Sequence, residues 1–158
     1  MIFYKFILKS FLFFIFVNNL YVNNLSIGGG VYSCLKKQDQ TFEIDLEYKF
    51  ETQKILKPVI GFNITKKSTT YLYGGVSFDI FFFNHLLLAP GFAIGYYNKG
   101  KGKNLYFPIE FKSSIKLAYQ FLPSKKMIGL SFYHLSHARI KSKNPGVESL
   151  ILYYEFPI

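Results

Sequence analysis

His134, Ser136 and Glu148 are the residues whose types and spacing suit nucleophilic hydrolysis of an ester. A serine hydroxyl attacks a carbonyl when a base takes its proton. An imidazole serves as that base best when a carboxylate fixes its tautomer and steadies the imidazolium. His134 and Ser136 are two residues apart, so in a strand they share one face. Glu148 follows Ser136 by 12 residues, beyond a loop containing Asn144-Pro145-Gly146. A His-x-Ser pair alone is weak, and the matching position of the acid gives it weight. The other reactive side chains read more simply. Cys34 is the one cysteine, which excludes an internal disulfide and a cysteine-based metal site, and it reads as a small packed residue. His85 falls in a proposed turn and His137 faces away from His134, as a polar residue inside the fold. Gly28-Gly29-Gly30 opens a strand and no helix, so it is not a phosphate loop. No metal or cofactor is expected.

The elements that must hold these groups are strands. Phe42, Ile44, Leu46, Tyr48 and Phe50 alternate with Thr41, Glu43, Asp45, Glu47 and Lys49, which is the pattern of a strand separating two media. The same period places Ile60, Phe62 and Ile64 against Gly61, Asn63 and Thr65, and Leu72, Val76, Phe78, Ile80 and Phe82 against Tyr73, Gly75, Ser77 and Asp79. It returns with Phe107, Ile109, Phe111, Ile115, Leu117 and Tyr119 against Glu110, Lys112, Ser114, Lys116 and Gln120. Turn signals divide the chain into eight runs near 25–35, 41–50, 56–65, 70–82, 86–98, 105–121, 127–138 and 147–157. Most match the roughly 9–11 residues that cross a bilayer as a tilted strand. The expectation is an all-β fold, an eight-stranded antiparallel transmembrane β-barrel whose narrow interior suits Gly28, Gly30, Gly75, Ser77, Gly91, Gly95 and Ser114. The chain ends inside a strand with Phe156 close to the terminus, as bacterial outer-membrane barrels do. A secreted sandwich or lipocalin-like barrel would reverse the faces, and the aromatics between Tyr71 and Phe83 would overfill its interior.

Parity along the seventh run turns His134 and Ser136 outward with Ile128, Leu130 and Phe132. On the eighth run Glu148 shares its face with Leu150, Leu152, Tyr154 and Phe156. A carboxylate on a greasy wall needs a partner, and antiparallel pairing of the two runs supplies His134.

Charge and the N-terminus support this placement. Lys5 and Lys9 precede the apolar run Phe11–Val17, which is too short to span a membrane and reads as a secretory signal over residues 1–24. The barrel then occupies residues 25–158, with the catalytic hairpin at its C-terminal end. The formal charge of +10 calls for an anionic partner. With both termini on the periplasmic side, the outward connections collect Lys36, Lys37, Lys66, Lys67, Lys99, Lys101, Lys103, Arg139, Lys141 and Lys143. Lys99, Lys101, Lys103, Arg139, Lys141 and Lys143 are the candidates to meet the phosphates of lipopolysaccharide, alongside the general lipids of the outer membrane. A basic, aromatic-rich chain also fits a nucleic-acid binder. The signal-like start and apolar outer stripes argue against that, so no nucleic acid is expected.

The stretch Tyr133-His134-Leu135-Ser136-His137-Ala138, followed by Asn144-Pro145-Gly146-Val147-Glu148-Ser149 and running into Leu150–Ile158, is similar to the C-terminal signature of the outer-membrane lipid A 3-O-deacylases (acyloxyacyl hydrolase-like). The resemblance is specific over roughly the last 30 residues. It implies an eight-stranded barrel in the bacterial outer membrane and metal-independent hydrolysis of the acyl ester at the 3-position of lipid A, releasing a 3-hydroxy fatty acid. It also implies an oxyanion role for Asn144. Two positions depart from the pattern: the family usually carries Asn where this chain has His137, and Gly where it has Arg139. Both lie where backbone amides would hold the oxyanion. A non-catalytic small barrel, structural or adhesive, shares every argument except the triad.

Overall fold

A computed structural model describes residues 22–158. The expected signal segment, residues 1–24, lies outside the described residues as far as residue 21, and Asn24 opens the first strand. The strands are β1 (Asn24–Tyr32), β2 (Thr41–Lys49), β3 (Leu56–Thr65), β4 (Thr70–Phe78), β5 (Ile80–Phe82), β6 (Leu86–Asn98), β7 (Ile109–Phe121), β8 (Lys126–Ser136) and β9 (Val147–Pro157). Sequential neighbours pair antiparallel, β9 returns to β1, and β4 and β5 both lie along β6, so the sheet closes on itself. Nine segments thus make the eight staves expected.

The fourth stave breaks at Asp79, which faces the lumen. Its carboxylate accepts from Lys49 Nζ at 2.8 Å and Ser77 Oγ at 3.0 Å, while its N–H donates to Ile55 O at 3.0 Å. The sixth stave starts at Ile109 and not near 105. Pro108 has no N–H to give a ladder and Tyr106 adopts a φ of 68°. The outer ends of β1 and β8 also stop short of the expected positions, at Tyr32 and Ser136, where Ser33, Ala138 and Arg139 take positive φ.

Alternation sorts the faces as read. Ile44, Leu46, Ile60, Leu72, Ile94, Leu117, Leu130 and Leu152 are exposed around the wall. A continuous apolar belt of this kind would drive aggregation in water, so hydrocarbon is its solvent. Closure leaves no strand edge unpaired there. Aromatic neighbours Tyr48 and Phe50, Tyr119 and Phe121, and Tyr154 and Phe156, with centroids 4.8, 5.3 and 6.0 Å apart, gather at the end of the barrel where β1 begins and β9 ends. Such rings settle at a membrane interface.

The lumen is more than the small-residue filling expected. Glu43, Asp45, Glu47, Asp79, Glu110, Glu155, Lys49, Lys112 and Lys116 are all buried in it. Lys49 Nζ is 2.8 Å from Asp79 and 2.7 Å from Glu155, Lys116 Nζ is 2.5 Å from Glu47, and Lys112 Nζ stands 3.8 Å from the centre of the Tyr73 ring. Tyr71 and Tyr73 point inward as well, donating their hydroxyls to Glu110 O and Glu47 Oε2 at 2.9 Å. A soluble barrel would carry these charges outside, so the reversed-face reading fails. With six of the nine acids inside, the outer loops keep their excess of lysine.

Candidate active site

The register of the last hairpin sets the site. His134 on β8 is directly opposite Glu148 on β9, and the imidazole Nδ1 lies 3.0 Å from Glu148 Oε1. A proton on Nδ1 donates to the carboxylate and leaves the Nε2 lone pair free to act as a base. The two side chains are 41% and 18% exposed, opening through the wall toward lipid and not into the lumen. The strand parity of His134, Ser136 and Glu148 is therefore as read.

Gly146 supports the ring from the connecting loop. Its φ is 55°, and a Cβ there would come within 2.6 Å of His134 Cε1 and 3.2 Å of Nε2. The position excludes a side chain both by conformation and by space. Gly146→Ala is expected to tilt the imidazole away from its working angle, because the ring is easier to move than the loop backbone. With His134 as the expected base, kcat should fall at least tenfold with KM little changed, since misplacing a base acts on the transition state. An unchanged kcat in steady-state hydrolysis would remove Gly146 from the site.

His137 organises the same loop. Its side chain is fully buried, its Nε2 is 2.8 Å from Lys143 O, and its ring meets the Phe107 ring edge-on at 5.9 Å. The backbone N–H of His137 donates to Asn144 Oδ1 at 3.4 Å. That bond holds Asn144 beside the residue following Ser136 and leaves its Nδ2 as a donor. Arg139, at a φ of 61°, keeps the left-handed conformation that a glycine would adopt there more easily.

Ser136 is the last residue of β8, half-buried and opposite Phe111 of β7. Among the described residues, no hydrogen bond joins its hydroxyl to His134. Bonds of this kind commonly tighten only around substrate. The register reveals a second hydroxyl that sequence reasoning missed: Ser113 is opposite His134 on β7 and exposed. Ser113, His134 and Glu148 thus form one cross-strand row. The signal was present, since the apolar outward stripe of β7 skips from Phe111 to Ile115.

Of the proposed phosphate contacts, Lys99, Lys101, Arg139, Lys141 and Lys143 are exposed on the outer rim. Lys143 also sits 5.4 Å over the Tyr106 ring. Lys103 differs from these five in being buried. It is 9% exposed, because the loop between β6 and β7 folds over the barrel mouth. Tyr97 donates its hydroxyl to Lys103 O at 2.7 Å, and the Tyr32 hydroxyl meets that of Tyr97 at 2.7 Å.

Known structures share this architecture. The crystal structure of the outer membrane enzyme PagL superposes with a TM-score of 0.68 at 18% identity, covering 85% of this chain and 99% of that one. A de novo designed transmembrane β-barrel matches at 0.61 and 10% identity, over 87% and 95% of the two chains. Neisserial surface protein A matches at 0.57 and 12%, over 86% and 96%. Likenesses at such identities establish the fold of a small outer-membrane barrel. Among curated proteins none matches the chain. The model of the family described as "Lipid A 3-O-deacylase (PagL)" matches residues 37–157, and the chain belongs to that family of outer-membrane lipid A deacylases.

Proposed function

We propose that the protein hydrolyses the acyl ester at the 3-position of lipid A in the outer leaflet by a serine-type mechanism, with Ser136 as nucleophile, His134 as its base and Glu148 as the group that orients the imidazole. The observation that carries this reading is the His134–Glu148 pair, 3.0 Å apart on the lipid-facing wall and two residues from a serine on the same face. His134 Nε2 takes the Ser136 proton as Oγ bonds to the ester carbonyl carbon, and Asn144 Nδ2 donates to the oxyanion. Collapse of the tetrahedral intermediate breaks the bond to the sugar oxygen, which leaves with the proton from Nε2. Water, deprotonated by the same nitrogen, then attacks the acyl-serine. Ser136 is restored and a 3-hydroxy fatty acid is released.

The exposed rim cations draw a phosphorylated headgroup toward the wall. Exposed charges in water contribute little each, roughly 0.2–1 kcal/mol, and salt weakens them. Replacing Lys99 and Lys101 together by Gln should therefore raise KM for diphosphorylated lipid A only about two- to fivefold, and added salt should erase the difference. Equal effects on dephosphorylated lipid A would show that these lysines act on something other than phosphate.

The decisive experiment incubates the full protein in detergent with purified lipid A and follows the substrate by mass spectrometry. Loss of one 3-hydroxyacyl unit, with the matching free acid, is the expected result. Intact lipid A in the presence of folded barrel would favour a structural or adhesive role.

A further inference from the structure

The outer mouth of the barrel holds two lysines that have no anion among the described residues. Lys103 is nine-tenths buried, yet its Nζ has no hydrogen-bond partner, an arrangement that costs free energy unless something else arrives to compensate it. The Lys36 ammonium lies beside it. Burial, and after it the Lys36 charge, holds the Lys103 pKa below the ordinary lysine value, against the opposing pull of Asp39 and Glu148. Among the described residues neither acid makes an ion pair with either lysine, and Glu148 is engaged by His134.

Both lysines stand on braced backbone. Lys103 O is held by the Tyr97 hydroxyl. The turn carrying Lys36 is closed by Lys36 N–H to Ser33 O at 3.1 Å and tied to β9 by Cys34 N–H to Glu148 O at 2.9 Å. Lys36 Nζ points at Pro145 O, 3.5 Å away, so the pair borders the loop that carries Asn144 and Gly146. Two adjacent ammonium groups on fixed supports, one of them desolvated and unpartnered, make a receptor for a doubly charged oxyanion.

We propose that Lys36 and Lys103 form a phosphate-binding site at the barrel mouth, and that its occupant is a phosphate monoester on the headgroup of the glycolipid whose ester faces His134. The proposal rests on the functional reading above for the identity of the glycolipid. It separates this pair from the rest of the rim: exposed Lys36 works with a desolvated Lys103 as a built site, and the others act as a diffuse field. Occupation beside the Asn144–Gly146 loop would set the headgroup's distance from His134 and Ser136, so the site selects which ester is presented.

Binding is measured by isothermal titration on the full chain carrying Ser136→Ala, in detergent, with two probes: a deacylated bisphosphorylated glucosamine disaccharide and inorganic phosphate. Because no turnover is needed, a failed catalytic assignment would not disturb the result. Lys36→Gln and Lys103→Met are each expected to weaken disaccharide binding by about tenfold or more, the size of one charge-assisted hydrogen bond. Lys125→Gln with Lys126→Gln, at the opposite end of the barrel, should change nothing. Heat-shifted gel mobility confirms that each variant is folded, and Lys36→Gln carries the test by itself if Lys103→Met is not. Inorganic phosphate binding as tightly as the disaccharide, and equally sensitive to both lysines, would keep the phosphate site but overturn the headgroup as its occupant. Disaccharide affinity unaltered by either lysine variant would overturn the proposal.

Discussion

Ser136→Ala and His134→Ala are each expected to lower hydrolysis of the 3-linked ester by about three orders of magnitude or more, and the double variant should be little worse than either single one. The reason is that attack and proton transfer are one event: a hydroxyl without its base, or a base without its hydroxyl, leaves nothing to accelerate. Glu148→Ala should cost less. It removes the group 3.0 Å from Nδ1 that selects the tautomer, while the imidazole stays on its strand. Ser113→Ala is the informative companion because Ser113 occupies the neighbouring position in the same row. If Ser136 is the nucleophile, Ser113→Ala keeps most of the rate and Ser136→Ala loses it. The reverse outcome, in proteins shown to be folded by heat-shifted gel mobility, would transfer the nucleophile to β7.

The second large effect lies at the other end of the barrel and concerns stability alone. Lys49 neutralises Asp79 and Glu155 at 2.8 and 2.7 Å inside the lumen, and all three are almost wholly buried. Lys49→Met keeps the volume and removes the charge, leaving two carboxylates facing each other away from water. Breaking one buried pair from one side typically costs about 3–5 kcal/mol. The urea midpoint of the barrel in lipid vesicles should fall accordingly, whereas hydrolysis per folded molecule should not. Adding Asp79→Asn and Glu155→Gln to Lys49→Met should recover much of the loss, because neutral partners no longer need the cation. A midpoint unmoved by Lys49→Met would mean that the lumen is wet enough to solvate both acids.

Much of this was legible in the sequence because the period of a strand is two. Once Phe42 and Glu43 are assigned to opposite faces, the faces of Thr41 to Lys49 follow, and in the same way Leu130 and Phe132 carry His134 and Ser136 outward with them. Pairing partners are harder to read, since register depends on how many residues each turn consumes. That is why Glu148 could be matched to His134 across a single loop while Ser113, on the far side of β8, went unnoticed. The break at Asp79 was hidden for a different reason. Alternation continues through Phe78, Asp79 and Ile80, and nothing in that local pattern marks an interruption. Lys103 shows the same limit. Its neighbours Lys99 and Lys101 are exposed, and nothing in the local pattern announces that Tyr97, itself braced by Tyr32, holds the third lysine's backbone over the mouth.

With His134 and Ser136 on the outside of the wall, the proposed hydrolysis has a different physical setting from chemistry in a lumen. A lumen site would oblige each substrate to draw its acyl chains out of hydrocarbon, at about 0.8 kcal/mol for every methylene, before reaction could begin. A site opening sideways through the wall asks for no such extraction, and encounter becomes a matter of lateral diffusion within one leaflet. The governing concentration is then the mole fraction of substrate among the surrounding lipids, so inert lipid acts as diluent while the volume of surrounding buffer does not. The liberated fatty acid is delivered into the same two-dimensional phase, beside the lipid that has just lost it.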